Sequence, residues 1–379
     1  MEPVTHLLTG ACLARAGFNR KAAYATLAMT VAAEAPDLDT LWSVDGPVAS
    51  FQHHRGITHT LLGLPVEGLL IVGAVWLVHR WRVRRAANTP APPAAPLAAT
   101  DETIVRPLTA APLRWGLLYG FVLIALLSHI LLDWTNNYGV RPFFPFNPRW
   151  YAGSFVFIAE PIIWALLLSA VIVPALLGLI GGEIGARSKP FRGCGWAIFA
   201  LVGMVIVWGW RWSEHAHALA LVENAQVTTA PVKRMAAEPY PVNPFRWHVI
   251  LETADSYQTA EVNTRSGEID SDPQRDVMFK PPATAAVEAA KQTPLGQVYL
   301  DWGTWAVVRD VGQEPVPGLA PPQLPANRQW TTIEFTDLRF NYSYLGTGRA
   351  TGRSPLGGAV YIVDGLEDAG EVMNGREQK

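Results

Sequence analysis

The chain has 379 residues, half of them hydrophobic and only 16% charged, with a formal net charge of −2. A soluble domain carries about 25% charged residues, so this composition points to a membrane protein, and the 15 tryptophans suit interfacial belts. The near-neutral balance gives no argument for a nucleic-acid partner, and two cysteines as far apart as Cys12 and Cys194 make neither a disulfide framework nor a cysteine metal motif.

In chain order, two short apolar helices come first, about Val4–Ala16 and Ala22–Ala33, with Gly17–Lys21 as the turn between them. Each is too short to cross a bilayer, which needs about 20 apolar residues, so a hairpin packed against other helices is expected. The start of the chain has no basic stretch and no small-residue cleavage site, so no removable signal peptide is expected. Thr5-His6 lies in the first helix. A histidine there is a metal ligand or a satisfied core residue.

Pro36-Asp37-Leu38-Asp39 follows the second helix, which should end near Glu34 because the residue before a proline is biased out of helix. Two carboxylates in an extended turn can reach one cation or bridge two. The alternative is a solvated acidic turn. His53-His54-Arg55-Gly56-Ile57-Thr58-His59 comes next. Three histidines within seven residues are poor core filler, and His54 and His59 are the stronger ligand candidates. Thr58 is placed to cap a helix starting at about His59. Arg55 can hold a phosphate or carboxylate through its guanidinium fork, or pair with Asp37, Asp39 or Asp45.

Leu61–Val78, Leu113–Leu132 and Phe155–Ile180 are long enough, or nearly so, to span a membrane, and Trp196–Trp210 is a shorter fourth span. Ala86–Ala111, rich in Ala, Pro and Thr, is expected to be a disordered loop. Ser128-His129 and Asp133 end the second span. The i, i+4 spacing of His129 and Asp133 puts both on one helix face. There they bind one metal together, or the aspartate orients the histidine, or the pair caps the helix end. Glu160 begins the third span as a ligand, a general base or a partner of a ligand, and Glu67 reads as a helix–helix hydrogen-bonding group. His79, His215, His217 and His248 fall elsewhere.

Basic residues set the orientation. Arg15, Arg20 and Lys21, the arginines of 80–114, and Arg187, Lys189 and Arg192 belong on the cytoplasmic side. Threading the chain then puts all four His/Asp clusters on the outer face. A charged helix, about Arg211–Ala225, follows the last span. From about Pro244 alternating strands are expected at Trp247–Glu252, Gln258–Asn263, Gln297–Arg309, Trp330–Phe335 and Ala359–Asp364. The expected architecture is an α-helical integral membrane bundle over 1–212, of about four spans plus the N-terminal hairpin, a connecting helix and linker over 213–239, an extramembrane β-rich domain over 240–365 and a frayed tail from 366.

The order Thr5-His6, Pro36-Asp37-Leu38-Asp39, His54-Arg55-Gly56-Ile57-Thr58-His59, Ser128-His129-xxx-Asp133 resembles the YdjM-like family of membrane-bound metal-dependent hydrolases, also called the domain of unknown function 457. The resemblance covers about residues 1–180. Glu160-Pro161 stands where an Asp-Pro is expected in that family. The resemblance implies an integral membrane protein and a metal-dependent hydrolase, and longer family members are similar in carrying an added C-terminal domain.

The residues themselves lead to the same expectation. Histidine and carboxylate are the ligand set of hydrolytic metals, and ionisable groups at membrane depth are functional by default. His6, Asp37, Asp39, His54, His59, His129 and Asp133 are the candidate ligands. They are enough for one or two divalent ions, zinc first and manganese second. Glu160 is the candidate base and Arg55 the candidate anion holder. The bilayer is the surrounding partner and an amphiphilic or phosphoester compound the expected substrate. Two rival readings are a regulatory protein with a metal-stabilised polar cluster and a metal or proton transporter. Transport needs an ionisable track toward the cytoplasm, and Leu117–Leu127 and Ile162–Ile180 carry no charged residue while Leu61–Val78 carries only Glu67.

Overall fold

The computed structural model describes residues 1–88, 108–183, 193–342 and 356–378. These fall into two compact units. One comprises Met1–Leu38 and Ile57–Trp210, the other Asp39–Gly56 and Arg211–Lys379.

The first unit is helical. Helix α1 (Pro3–Arg15) starts on Glu2, whose carboxylate accepts from the backbone N–H of Val4 and Thr5. That satisfies two donors the first turn leaves open and places negative charge at the positive end of the helix. Helix α2 (Ala25–Ala32) packs along α1. A Cβ on Gly10 would lie 2.4 Å from the Met29 carbonyl oxygen and 2.6 Å from the Ala33 Cβ. The two backbones can therefore touch only because residue 10 has no side chain. Ala28, Ala32 and Ala33 make the rest of this thin contact, fully buried with Met29, Leu118, Phe121, Val122 and Leu126 in one apolar core.

Among the described residues, four helices are long and apolar enough to cross a membrane: α4 (Leu64–Ala87), α5 (Trp115–Thr135), α6, apolar over Pro161–Ile180, and α7 (Cys194–Ala225). Their boundaries correct the expected spans in three places. Leu61–Gly63 is not part of α4, because Thr60 closes a tight turn by donating to the Ile57 carbonyl and accepting from Gly63 N–H, and Pro65 then opens the helix. Thr58 is therefore not the cap of a helix at His59. Phe155–Glu160 is not helical, since α6 begins at Pro161. The last span and the charged helix after it are one continuous 32-residue helix, about 48 Å long at 1.5 Å per residue. Its Ala- and Leu-rich second half contains no breaker. Most of the expected disordered loop, Ala86–Ala111, lies outside the described residues.

Among the described residues, the second unit holds two five-stranded antiparallel sheets. In one, β1 (Arg234–Pro239), β2 (Arg246–Glu252), β3 (Ser256–Asn263) and β4 (Glu268–Asp270) lie in order, and β5 (Val277–Phe279) also pairs with β3. In the other the order is β10-β9-β8-β7-β6, with β6 at Ala306–Asp310, β7 at Trp330–Asp337, β8 at Gly358–Val363, β9 at Glu367–Met373 and β10 at Arg376–Glu377. Two expectations fail here. Gln297–Arg309 is not one strand: its first part belongs to α9 (Pro294–Trp302), preceded by α8 (Ala285–Gln292). Thr293 caps α9 by accepting from Gly296 N–H, Pro294 occupies its first turn, and Leu295, Tyr299 and Trp302 bury one face at helical spacing. The tail from 366 is also not frayed. It forms β9, which buries Val372 and Met373 against β8.

The segment Asp39–Gly56 leaves the helical unit by sequence and joins the second unit by packing. Its helix α3 (Pro47–His53) sets Phe51 edge-on to Trp302 at 4.9 Å and beside Tyr299 at 6.1 Å. The Gln378 side chain bonds Val48 N–H at 2.8 Å and the Asp45 carbonyl at 3.0 Å.

Candidate metal centre

Four side chains of the helical unit converge: Asp37, His59, His129 and Asp133. His129 and Asp133 come from the buried face of α5, one turn apart as the i, i+4 spacing requires. His59 ends the short 3₁₀ turn Ile57–His59. Asp37 lies on a 3₁₀ run, Ala35–Asp45, rather than in the extended turn expected after Pro36. Three of the four are fully buried, and Asp37 is 15% exposed.

The geometry is that of a shared ligand shell. The Nε2 atoms of His59 and His129 are 3.0 Å apart. Asp37 Oδ1 lies 3.4 Å from His59 Nε2 and 3.6 Å from His129 Nε2. Asp133 Oδ2 lies 3.4 and 3.5 Å from the same two atoms. A tetrahedral ion with bonds of about 2.0–2.1 Å has ligand–ligand edges of about 3.3–3.4 Å, so these donors are spaced for one ion among them. The outer nitrogens support this. His129 Nδ1 is 2.7 Å from the Ala33 carbonyl oxygen, which can only accept, so Nδ1 carries the proton and Nε2 turns a lone pair inward. His59 Nδ1 is 3.0 Å from Thr58 Oγ. Such partners fix the tautomer and the ring plane of metal-binding histidines.

Electrostatics agree. Burial alone would raise the Asp37 carboxyl, but positive charge on the His129 and His59 side, the place a bound cation would take, outweighs it and holds the group well below the usual carboxylate range. Glu34, one turn earlier, is pushed the other way, up to about 7, first by burial and then by the charges of Asp37 and Glu2.

The other sequence candidates take different places. His6 is fully buried, its ring stacked on His129 at 3.8 Å and its Nε2 3.4 Å from Asp133 Oδ1. The amino group of Met1 also pairs with Asp133. In the second unit Asp39 accepts from Arg55 N–H at 2.7 Å and lies 3.0 Å from His54 Nδ1. Arg55 is itself buried, with a left-handed backbone at φ 54°. Glu160 is buried at the residue before α6. Two contributors escape a reading by ligand type, the Ala33 carbonyl and the Thr58 hydroxyl. Only the adjacency of Thr58 to His59 is a signal for the second.

A profile of the YdjM inner membrane protein family matches residues 1–218, more than half of the chain and all of the cluster. The chain belongs to that family. It is a multi-pass inner membrane protein, with four membrane-length apolar helices among the described residues. It is similar to the uncharacterized protein YfhP of Bacillus subtilis (strain 168), 22% identical over 181 residues. That alignment covers 46% of each chain, so the present chain spans less than half the length of this relative. No solved structure matches.

Proposed function

We propose that the protein is a metal-dependent hydrolase of the inner membrane, with the metal held by Asp37, His59, His129 and Asp133. The convergence of two imidazole nitrogens and two carboxylate oxygens at 3.0–3.6 Å carries the reading. This donor set suits zinc best and manganese next. When bound, such an ion supplies a Lewis acid and lowers the pKa of a coordinated water to about 7 in the case of zinc. The carboxylates of Asp37 and Asp133 bring the two negative charges that a divalent ion balances. Ala33 and Thr58 keep the imidazoles turned inward. Asp37 is the one member that borders solvent, so it marks the side from which a substrate arrives. Asp39 and His54 are the pair available to a second ion. Glu160 is the candidate proton acceptor.

The distribution of Lys and Arg supports an extracytoplasmic placement for the cluster and for the β-rich unit. A site among apolar helices favours an amphiphile, and a phosphoester is the first class to test, since a metal can polarise its phosphoryl oxygen. The test is turnover. Detergent-purified, zinc-loaded protein is incubated with a chromogenic phosphodiester and with phospholipid, beside His59→Ala and a chelated sample. Hydrolysis lost in both controls is expected. No turnover by protein of full metal content, across phosphoesters, carboxylic esters and amides, would leave the metal a non-catalytic role.

A further inference from the structure

The loop between α5 and α6 is folded, not slack. Val140 and Tyr151 form a β-bridge, Gly139 turns the chain with φ 84°, Phe144 N–H bonds the Arg141 carbonyl, and Asn147 N–H bonds the Phe143 carbonyl. Arg141 is buried between the rings of Phe144 and Trp150, with its guanidinium carbon 4.8 and 4.7 Å from their centroids. This platform nevertheless turns Phe143 and Phe146 outward, 49% and 85% exposed. A loop built this tightly has the means to bury two phenylalanines and does not.

The position of the loop says what covers them. Leu61 N–H bonds the Pro142 carbonyl at 2.9 Å, which fixes Phe143 beside the chain that enters α4. That chain exposes Ile57, Leu61 and Leu62, and the exposure runs on along α4 through Val66, Leu69 and Leu70. The strip on α4 is the outward face of a span, where lipid chains lie. The apolar surface of the loop is thus continuous with a lipid-facing surface and adds to it at the end of the helix. Its polar composition fits the same depth. Exposed Arg149 lies over the Tyr151 ring at 5.4 Å, and aromatic and arginine side chains together belong to the headgroup level of a bilayer.

We propose that residues 140–151 form a bilayer anchor at the membrane interface, with Phe143 and Phe146 inserted at the boundary between headgroups and acyl chains. The loop leaves the end of α5 that carries Asp133, and its partner segment carries His59. The anchor therefore sets lipid headgroups at the depth of the His/Asp cluster. The proposal holds whether or not the cluster catalyses a reaction.

Spin-label depth measurement tests it. In a full-length variant with Cys12 and Cys194 replaced by alanine, a nitroxide is placed at Phe146→Cys, at Leu70→Cys as the lipid reference and at Ser266→Cys as the water reference. The protein is reconstituted in phosphatidylcholine nanodiscs with and without phosphatidylglycerol. The label at 146 should be accessible to oxygen and shielded from a water-soluble nickel relaxant, with a ratio several-fold above that at 266 and approaching that at 70. A ratio equal to that at 266 would overturn the anchor. Spin–spin broadening between labels at 146 would overturn it in favour of a second copy of the chain. The lipid-like signal at 70 establishes in the same experiment that the protein is folded and inserted.

Discussion

At the scale of single residues, the account rests on nitrogen atoms that point inward because their ring partners are tied outward. The Thr58 hydroxyl lies 3.0 Å from His59 Nδ1, the ring nitrogen turned away from the cluster. Thr58→Val keeps its shape and removes the acceptor, so it should weaken metal affinity by about 10–100-fold without unfolding the protein, as measured by competition with a metal chelator. The pH dependence follows from the same residues. The Asp37 carboxyl is held below its ordinary value of 3.8 and stays ionised above and well below that pH. With Asp37 already ionised, acid displaces a bound metal by protonating the imidazole nitrogens that would hold it. Metal titrations should therefore show affinity falling as the pH is lowered, and an affinity independent of pH would contradict binding through imidazole.

At the scale of elements, the closeness of α1 and α2 supports the site from behind. Gly10 lets α1 lie against Met29 and Ala33, and the Ala33 carbonyl is what His129 Nδ1 bonds. Gly10→Ala adds a methyl group where backbone and Cβ atoms already stand. It should cost about 1–3 kcal/mol, seen as a lower thermal midpoint in detergent, and should lower metal affinity as α2 moves. Long apolar runs were readable in the sequence because a span needs many apolar residues in a row, and all four spans emerged. Helix ends were read less well, because Thr60, Pro65 and Pro161 decide them locally. The α9 face of Leu295, Tyr299 and Trp302 has helical period, but its β-branched and aromatic neighbours suggested a strand. The acidic run that leads into β9 hid a pairing that depends on β8. The convergence of Asp37, His59, His129 and Asp133 was legible in kind, since ligand types and the i, i+4 spacing are local properties. That Asp39 and His54 would hold each other was not, because it depends on the path of the chain between them.

At the scale of the whole molecule, the division into units runs through the motif region. Asp37 precedes and His59 follows a segment, Asp39–Gly56, that packs with the C-terminal strands and helices. Phe51 is its apolar anchor against Tyr299 and Trp302. Phe51→Ala should destabilise the second unit by about 3–5 kcal/mol, measured as a lowered unfolding transition of the full-length protein, while membrane insertion stays intact. An unchanged transition would show that the segment is held by its polar contacts to Gln378 instead.

The central claim is that four side chains distant in sequence share one ion. Elemental mass spectrometry on detergent-purified protein, wild type beside His59→Ala and Asp133→Ala, tests it most directly. The account predicts one or two equivalents of a transition metal in the wild type and its loss in both variants with insertion retained. A wild type that takes up no metal after incubation with zinc or manganese, or variants that keep the full complement, would contradict it.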